Sequence, residues 1–153
     1  MADEVKRKQK RDYTYAVGRR REAVARVRLY GTVKEGLMFG ETPVVKGQIL
    51  VNGNPIEHYF PGPVSKAKYM KPLIVTTTDG KFALTIKVSG GGRNGQLDAT
   101  VLGIARALSA HSSEKYRKAL KVEGLLTRDP RARERRKVGT GGKARRAKQS
   151  PKR

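Results

Sequence analysis

Between Glu22 and Tyr30 apolar and polar positions alternate: Ala23, Ala25, Val27 and Leu29 fall on one side, and Glu22, Val24, Arg26, Arg28 and Tyr30 on the other. A period of two predicts a strand with one buried face and one largely polar, partly cationic face. Thr14–Val17 reads as a short strand before it, and QILVNG (48–53) as another after it. Residues 31–47 carry five glycine and proline breakers and read as an extended loop. Asn54-Pro55 has the composition of an N-cap and N1 pair opening a short helix toward Phe60. LIVTTTDGKFALTIKV (73–88) reads as a hairpin with Asp79-Gly80 at its tight turn, although Pro72 just before it counts against its first strand. Beyond the glycines the period changes. Leu97, Val101, Ile104, Ala105 and Leu108 fall at i, i+4, i+7, i+8 and i+11, one apolar helical face. A second helix is expected from Ser112 or Ser113 to Gly124, a good residue just past a helix end. There are no repeats, and the sum is an α+β body of three to five strands followed by helices.

Ser89–Gln96, SGGGRNGQ, places Gly90, Gly92 and Gly95 in the spacing G-x-G-x-x-G. A dinucleotide fold needs a further strand after the helix, ending in an acid about 20 residues on. Glu114 has that spacing but lies in the second helical pattern, and Gln96-Leu97 stands where a Walker loop needs Lys-Ser/Thr. Two compatible readings remain. The glycines permit positive φ and close packing at a strand-to-helix turn. Alternatively, the amides of Gly90, Gly91, Gly92 and Gly95 and the helix N-terminus receive an RNA phosphate, with Arg93 adding charge. His58 and His111 are the only histidines and show no metal-ligand spacing; Asp79 is explained by its turn and Asp98 by the first turn of a helix. No catalytic constellation is present, so neither an enzyme, a cofactor nor a small-molecule substrate is expected.

Charge changes the picture most. The chain has 35 Lys and Arg against 13 Asp and Glu, a formal +22 with a pI near 10.8. Such a field attracts polyanions and, without a partner, repels itself. No apolar run spans a bilayer and no cationic helix carries a clean apolar face, so nucleic acid is expected rather than membrane. The absence of cysteine excludes disulfides and thiolate metal sites, and MADEVKRKQKRDYTY lacks the apolar core of a signal peptide, which points to the cytoplasm. Three zones are expected: a flexible basic arm over 1–12, a globular body over 13–127 and a basic tail over 128–153. The tail carries a net +10 and one large apolar residue, Val138, so it cannot offset the entropy of folding by itself. Arg19, Arg20 and Arg21 sit between two strand patterns, and Arg26 and Arg28 on the outer face of the second, with only Glu22 among them. Arginine suits bidentate phosphate contact better than lysine.

GRRREAVARV (18–27), VNGNPIEHYF (51–60), VSGGGRNGQLDATVLGIARAL (88–108) and LLTRDPRARERRKVGTGGKARRAKQSPKR (125–153) together resemble the universal S-nine family of small-subunit ribosomal proteins in its bacterial form. The resemblance covers most of residues 13–153. It implies a two-layer α+β sandwich of a small mixed sheet and helices, with a left-handed βαβ crossover. It also implies a place in the head of the small subunit, on the 3′ domain of the small-subunit rRNA and beside other head proteins. The rRNA contacts it suggests are Arg19, Arg20, Arg21, Arg26, Arg28, Arg93, Arg128, Arg131, Arg133, Arg135, Arg136, Lys137, Lys143, Arg145 and Arg146. In the family the tail threads through rRNA toward the anticodon stem-loop of peptidyl-site tRNA, which here would bring Lys148, Lys152 and Arg153 to the tRNA. Thr127-Arg128-Asp129-Pro130 looks like the hinge from which it leaves. There are two departures: the family's usual Gln-Phe-Ser-Lys-Arg ending is replaced by Gln149-Ser150-Pro151-Lys152-Arg153, and the loop around 34–47 is longer than usual.

Overall fold

A computed structural model describes residues 12–133 and Arg135; the expectations for the rest of the arm and tail lie outside them. The alternation around Ala23 is a strand. β1 (Thr14–Arg20) and β2 (Ala23–Tyr30) pair antiparallel with Arg20 opposite Ala23, leaving Arg21-Glu22 as the turn. β1 therefore runs three residues further than Thr14–Val17 and takes in Arg19 and Arg20. The loop of 31–47 holds a small sheet of its own, β3 (Met38–Phe39) with β4 (Thr42–Pro43). Next come β5 (Ile49–Val51), β6 (Asn54–Pro55), α1 (Ile56–Tyr59), α2 (Pro63–Val75), β7 (Ala83–Ser89), α3 (Arg93–His111) and α4 (Ser113–Val122). The main sheet has the order β1-β2-β7-β5-β6; β5 runs parallel to β7, so α1 and α2 form a βαβ crossover in an otherwise antiparallel sheet.

One face of this sheet is the core. Ala25, Val27, Leu29, Val51, Leu84 and Ile86 meet Leu97, Ile104 and Leu108 of α3, Tyr69 and Leu73 of α2 and Leu120 of α4. The expected apolar stripe of α3 is the one that docks, with Val101 half-buried at its edge. Backbone comes unusually close to backbone here: a Cβ at Gly18 would run into the carbonyl of Ala99 and the backbone of Gly103. The opposite face is covered only in part. Val33, Leu37, Phe39 and Val44 of the 31–47 segment gather over Tyr30, Leu50 and Ala83. Thr42 Oγ1 ties that segment down by donating to Gly53 O at 2.6 Å.

Three local expectations give way. Leu73–Val75 is the last turn of α2, not the first strand of a hairpin. Ile74 and Val75 have strand propensity, but Tyr69, Pro72 and Leu73, at i, i+3 and i+4, are buried on one helical face, and packing outweighs propensity. Pro72 lets the helix run only a few residues more, and Thr76 closes it, its hydroxyl donating to Pro72 O at 2.8 Å. The second half of the hairpin reading is right, since Ala83–Ser89 is β7; at the Asp79-Gly80 turn only Gly80 has positive φ. Asn54-Pro55 is not the cap and first residue of a helix. Asn52 and Gly53, at φ of 50° and 90°, fold it back on β5 as β6, and α1 begins at Ile56. Asp98, expected in the first turn of α3, lies in the second, where it meets Arg20 and Lys68.

Candidate nucleic-acid interface

The glycine segment joins β7 to α3 and divides by function. Gly90 and Gly91, at φ of 73° and 63°, lie against the β1–β2 turn; a Cβ on Gly90 would collide with the Glu22 carbonyl, and one on Gly91 would sit 3.1 Å from Ala23. These two serve packing. Gly92 has open space around it and caps α3 with no side-chain hydrogen bond. The first-turn amides of a helix lack intrahelical acceptors and carry the positive end of its dipole. They open on a cleft of about 440 Å³ lined by Gly91, Gly92, Asn94 and Gly95, by four arginines, Arg20, Arg21, Arg93 and Arg133, and by one carboxylate, Glu22. Polar contacts hold the loop in place. Gln96 Nε2 donates to Gly90 O at 3.0 Å, and Tyr59 Oη donates to Gln96 Oε1 at 3.0 Å. Asn52 bonds both backbone groups of Val88, at 2.9 and 3.0 Å, prolonging the β5–β7 ladder to the start of the loop.

Arg21 stands in the turn at φ 51°, a left-handed conformation that costs a non-glycine residue roughly 1–2 kcal/mol. Arg20 is placed differently. Its side chain is only 14% exposed; Nη2 lies 2.8 Å from Asp129, Nε 3.7 Å from Asp98, and Nη1 donates to Arg131 O at 3.0 Å. Asp129 also accepts the side chain and backbone N–H of Arg131. These hydrogen bonds, chiefly the side-chain one from Arg131, hold the Asp129 carboxyl far below the usual carboxylate range. Arg20 is thus committed to Asp129 and Arg131, in the segment that follows α4.

A second cationic group lies on the sheet face away from the helices. Arg26 and Arg28 are exposed there, Arg26 opposite Lys87 and Arg28 between Tyr15 and Thr85. The Arg28 guanidinium lies 5.1 Å from the centre of the Tyr13 ring, and Tyr13 in turn packs 5.6 Å from Tyr30. Among the described residues no three His, Asp or Glu side chains form a metal-binding group, and His58 and His111 are exposed. α3 is followed by α4 rather than by the strand a dinucleotide fold requires. No described helix is long and apolar enough to cross a membrane.

Comparison with known proteins fits this geometry. The family described as Ribosomal protein S9/S16 matches residues 18–153. The chain belongs to that family. It is 48% identical over 136 residues to the small ribosomal subunit protein uS9 of Mesoplasma florum, covering 89% of this chain and 92% of the relative. Its identity to the uS9 protein of Bifidobacterium animalis subsp. lactis is 44% over 140 residues, covering 91% and 77%. The chain is a ribosomal protein, not an enzyme.

Within this ribosomal protein the residues singled out from the sequence fall into groups. Arg21, Arg93 and Arg133 meet at the glycine cleft with Gly91, Gly92 and Gly95; Gly90 lies behind it. Arg19 is exposed near the end of β1, Arg26 and Arg28 lie on the open sheet face, and Arg128, Arg131 and Arg135 are exposed where the tail departs. Arg136, Lys137, Lys143, Arg145, Arg146, Lys148, Lys152 and Arg153 lie outside the described residues. Sequence reasoning overlooked Lys87, Tyr13 and Tyr15. Lys87 was detectable, because it breaks the apolar run of β7 on the side opposite Ile86. Tyr15 read as an ordinary strand residue and Tyr13 lay just before that strand, until the sheet showed which face is free of the described helices.

Proposed function

We propose that the chain binds small-subunit rRNA in the head of the subunit, gripping phosphates at the glycine cleft and carrying a cationic tail toward peptidyl-site tRNA. It is a small-subunit ribosomal protein working on the cytoplasmic ribosome. The observation that supports rRNA binding most is the meeting of Arg21, Arg93 and Arg133 at the uncapped N-terminus of α3. Three segments distant in sequence converge there, and fixed amides with guanidinium forks recognise a phosphate oxygen rather than a base. Arg26, Arg28 and Arg19 extend the basic surface, and Arg128, Arg131 and Arg135 mark its continuation into the tail. The 3′ domain of the rRNA is the partner, with neighbouring head proteins around it.

A transcript of that 3′ domain tests the reading. If about eight phosphates are contacted, log K falls against log salt with a slope near −6 to −7. Arg93→Ala together with Arg133→Ala flattens that slope by roughly two. A slope close to zero in the unaltered chain rejects rRNA binding; an unchanged slope in the double variant rejects the cleft as its site.

A further inference from the structure

The sheet face that carries no helix is closed at one end by the 31–47 segment and open at the other. Between them lies a cleft of about 410 Å³ lined by Tyr13, Tyr15, Arg26, Arg28, Phe39, Thr85 and Lys87. We infer that this cleft receives an unpaired RNA nucleotide, its base against the exposed Tyr15 ring and its phosphates on Arg26 and Lys87. The inference rests on the rRNA reading above and says which form of RNA the face takes.

Four observations carry it. First, Arg26 and Lys87 stand directly opposite each other across β2 and β7, and among the described residues no carboxylate lines the cleft. Like charges so placed destabilise a sheet, and an anion between them removes that cost. Second, Thr85 lines the cleft though only 1% exposed, and its hydroxyl has no hydrogen-bond partner among the described residues. A buried hydroxyl without a partner is costly, and a ribose hydroxyl or base edge entering the cleft would satisfy it once rotation about the Thr85 Cα–Cβ bond turns the hydroxyl to the cleft wall. Third, Tyr15, the second residue of β1, is 42% exposed, while Tyr13 is already engaged by Arg28 and Tyr30. A free aromatic ring beside cations gains from a base only when that base is out of its helix, which selects an unpaired nucleotide over a duplex. Fourth, the volume falls within the range of about 300–1,000 Å³ typical of sites for small ligands, enough for a base with its sugar. The 31–47 segment supplies Phe39 as one wall, which gives that segment a role in the site.

Fluorescence anisotropy of the full chain tests this with three probes at about 0.5 M salt, where loose electrostatic association is suppressed. The probes are single-stranded hexa-adenylate, a blunt twelve-base-pair RNA duplex and hexaglutamate. Tyr15→Ala and Thr85→Val should each weaken hexa-adenylate binding, Tyr15→Ala by at least about fivefold. Both should leave duplex binding within twofold. Thr85→Val removes the unpaired hydroxyl at nearly constant volume, so it should fold at least as stably as the original; a raised denaturation midpoint with weakened hexa-adenylate binding is the expected pairing. Unchanged hexa-adenylate affinity in both variants overturns the proposal, as does an equal loss for duplex. Hexaglutamate competing on equal terms with hexa-adenylate would mean that charge alone is read, and also overturns it. If the cleft fails while the 3′-domain transcript still binds with a steep salt slope, only this inference falls; loss of transcript binding removes the rRNA reading itself.

Discussion

Arg21 carries its cation in a backbone conformation that glycine would hold more easily. The position accepts that strain and gains a guanidinium at the glycine cleft. Arg21→Gly should therefore leave the body as stable or stabilise it by up to about 1 kcal/mol in urea unfolding, while weakening rRNA binding. A variant both less stable and equally good at binding would contradict the assignment. Asp129 shows the opposite arrangement, a charge fully occupied at home. Because its folded-state pKa is depressed, the contribution of its contacts is complete above the ordinary carboxylate range and is lost only as pH falls through the much lower folded value. The tail root should stay docked from neutral down through mildly acid pH. Carbon-detected titration of the Asp129 carboxyl should show it still ionised below pH 3, and a normal midpoint near 4 would count against the contact. Asp129→Asn should release Arg20 and speed amide exchange over residues 128–133 at neutral pH.

Among elements, β2 and α3 were legible in advance because each has one buried face, and burial on one side writes a period of two or 3.6 into the sequence. α2 was not. Its strand-like Ile74-Val75 end is helical because Tyr69 and Leu73 pack inward, a reason that lies in tertiary contact. Nor could the alternation of β1 foretell how closely α3 sits on it. The closeness comes from Gly18 facing Gly103, two glycines 85 residues apart whose backbones touch only after folding. Gly18→Ala should force α3 away from β1 and cost about 2–3 kcal/mol, read as a lower urea midpoint with an unchanged slope. Stability within about 0.5 kcal/mol of the original, the size of a harmless surface change, would show that the helix shifts freely.

For the whole molecule, the sheet separates two kinds of work. Its helix-covered face supplies the core, and its other face and the β1–β2 turn carry cations that line two clefts. The formal charge of +22 makes the free protein self-repelling and its RNA complex salt-sensitive. Removing Gln149–Arg153 should leave the thermal transition of the body unchanged and permit incorporation into small subunits, while weakening tRNA binding at the peptidyl site. Filter binding of tRNA to reconstituted subunits reads that difference; loss of folding on removal would mean that the segment belongs to the body.

The sequence alone determined the α+β class and the strongly cationic character of the chain, because periodicity and net charge can both be read along it. Tertiary structure decided which arginines are available. Arg20 and Arg21 are neighbours of identical chemistry and both line the glycine cleft, yet the pleat turns Arg20 inward, where Asp98 and Asp129 hold its guanidinium, while Arg21 is exposed in the turn. It likewise decided that Lys87, Thr85 and Tyr15 share one cleft, since strand register, and not spacing in sequence, sets which side chains become neighbours.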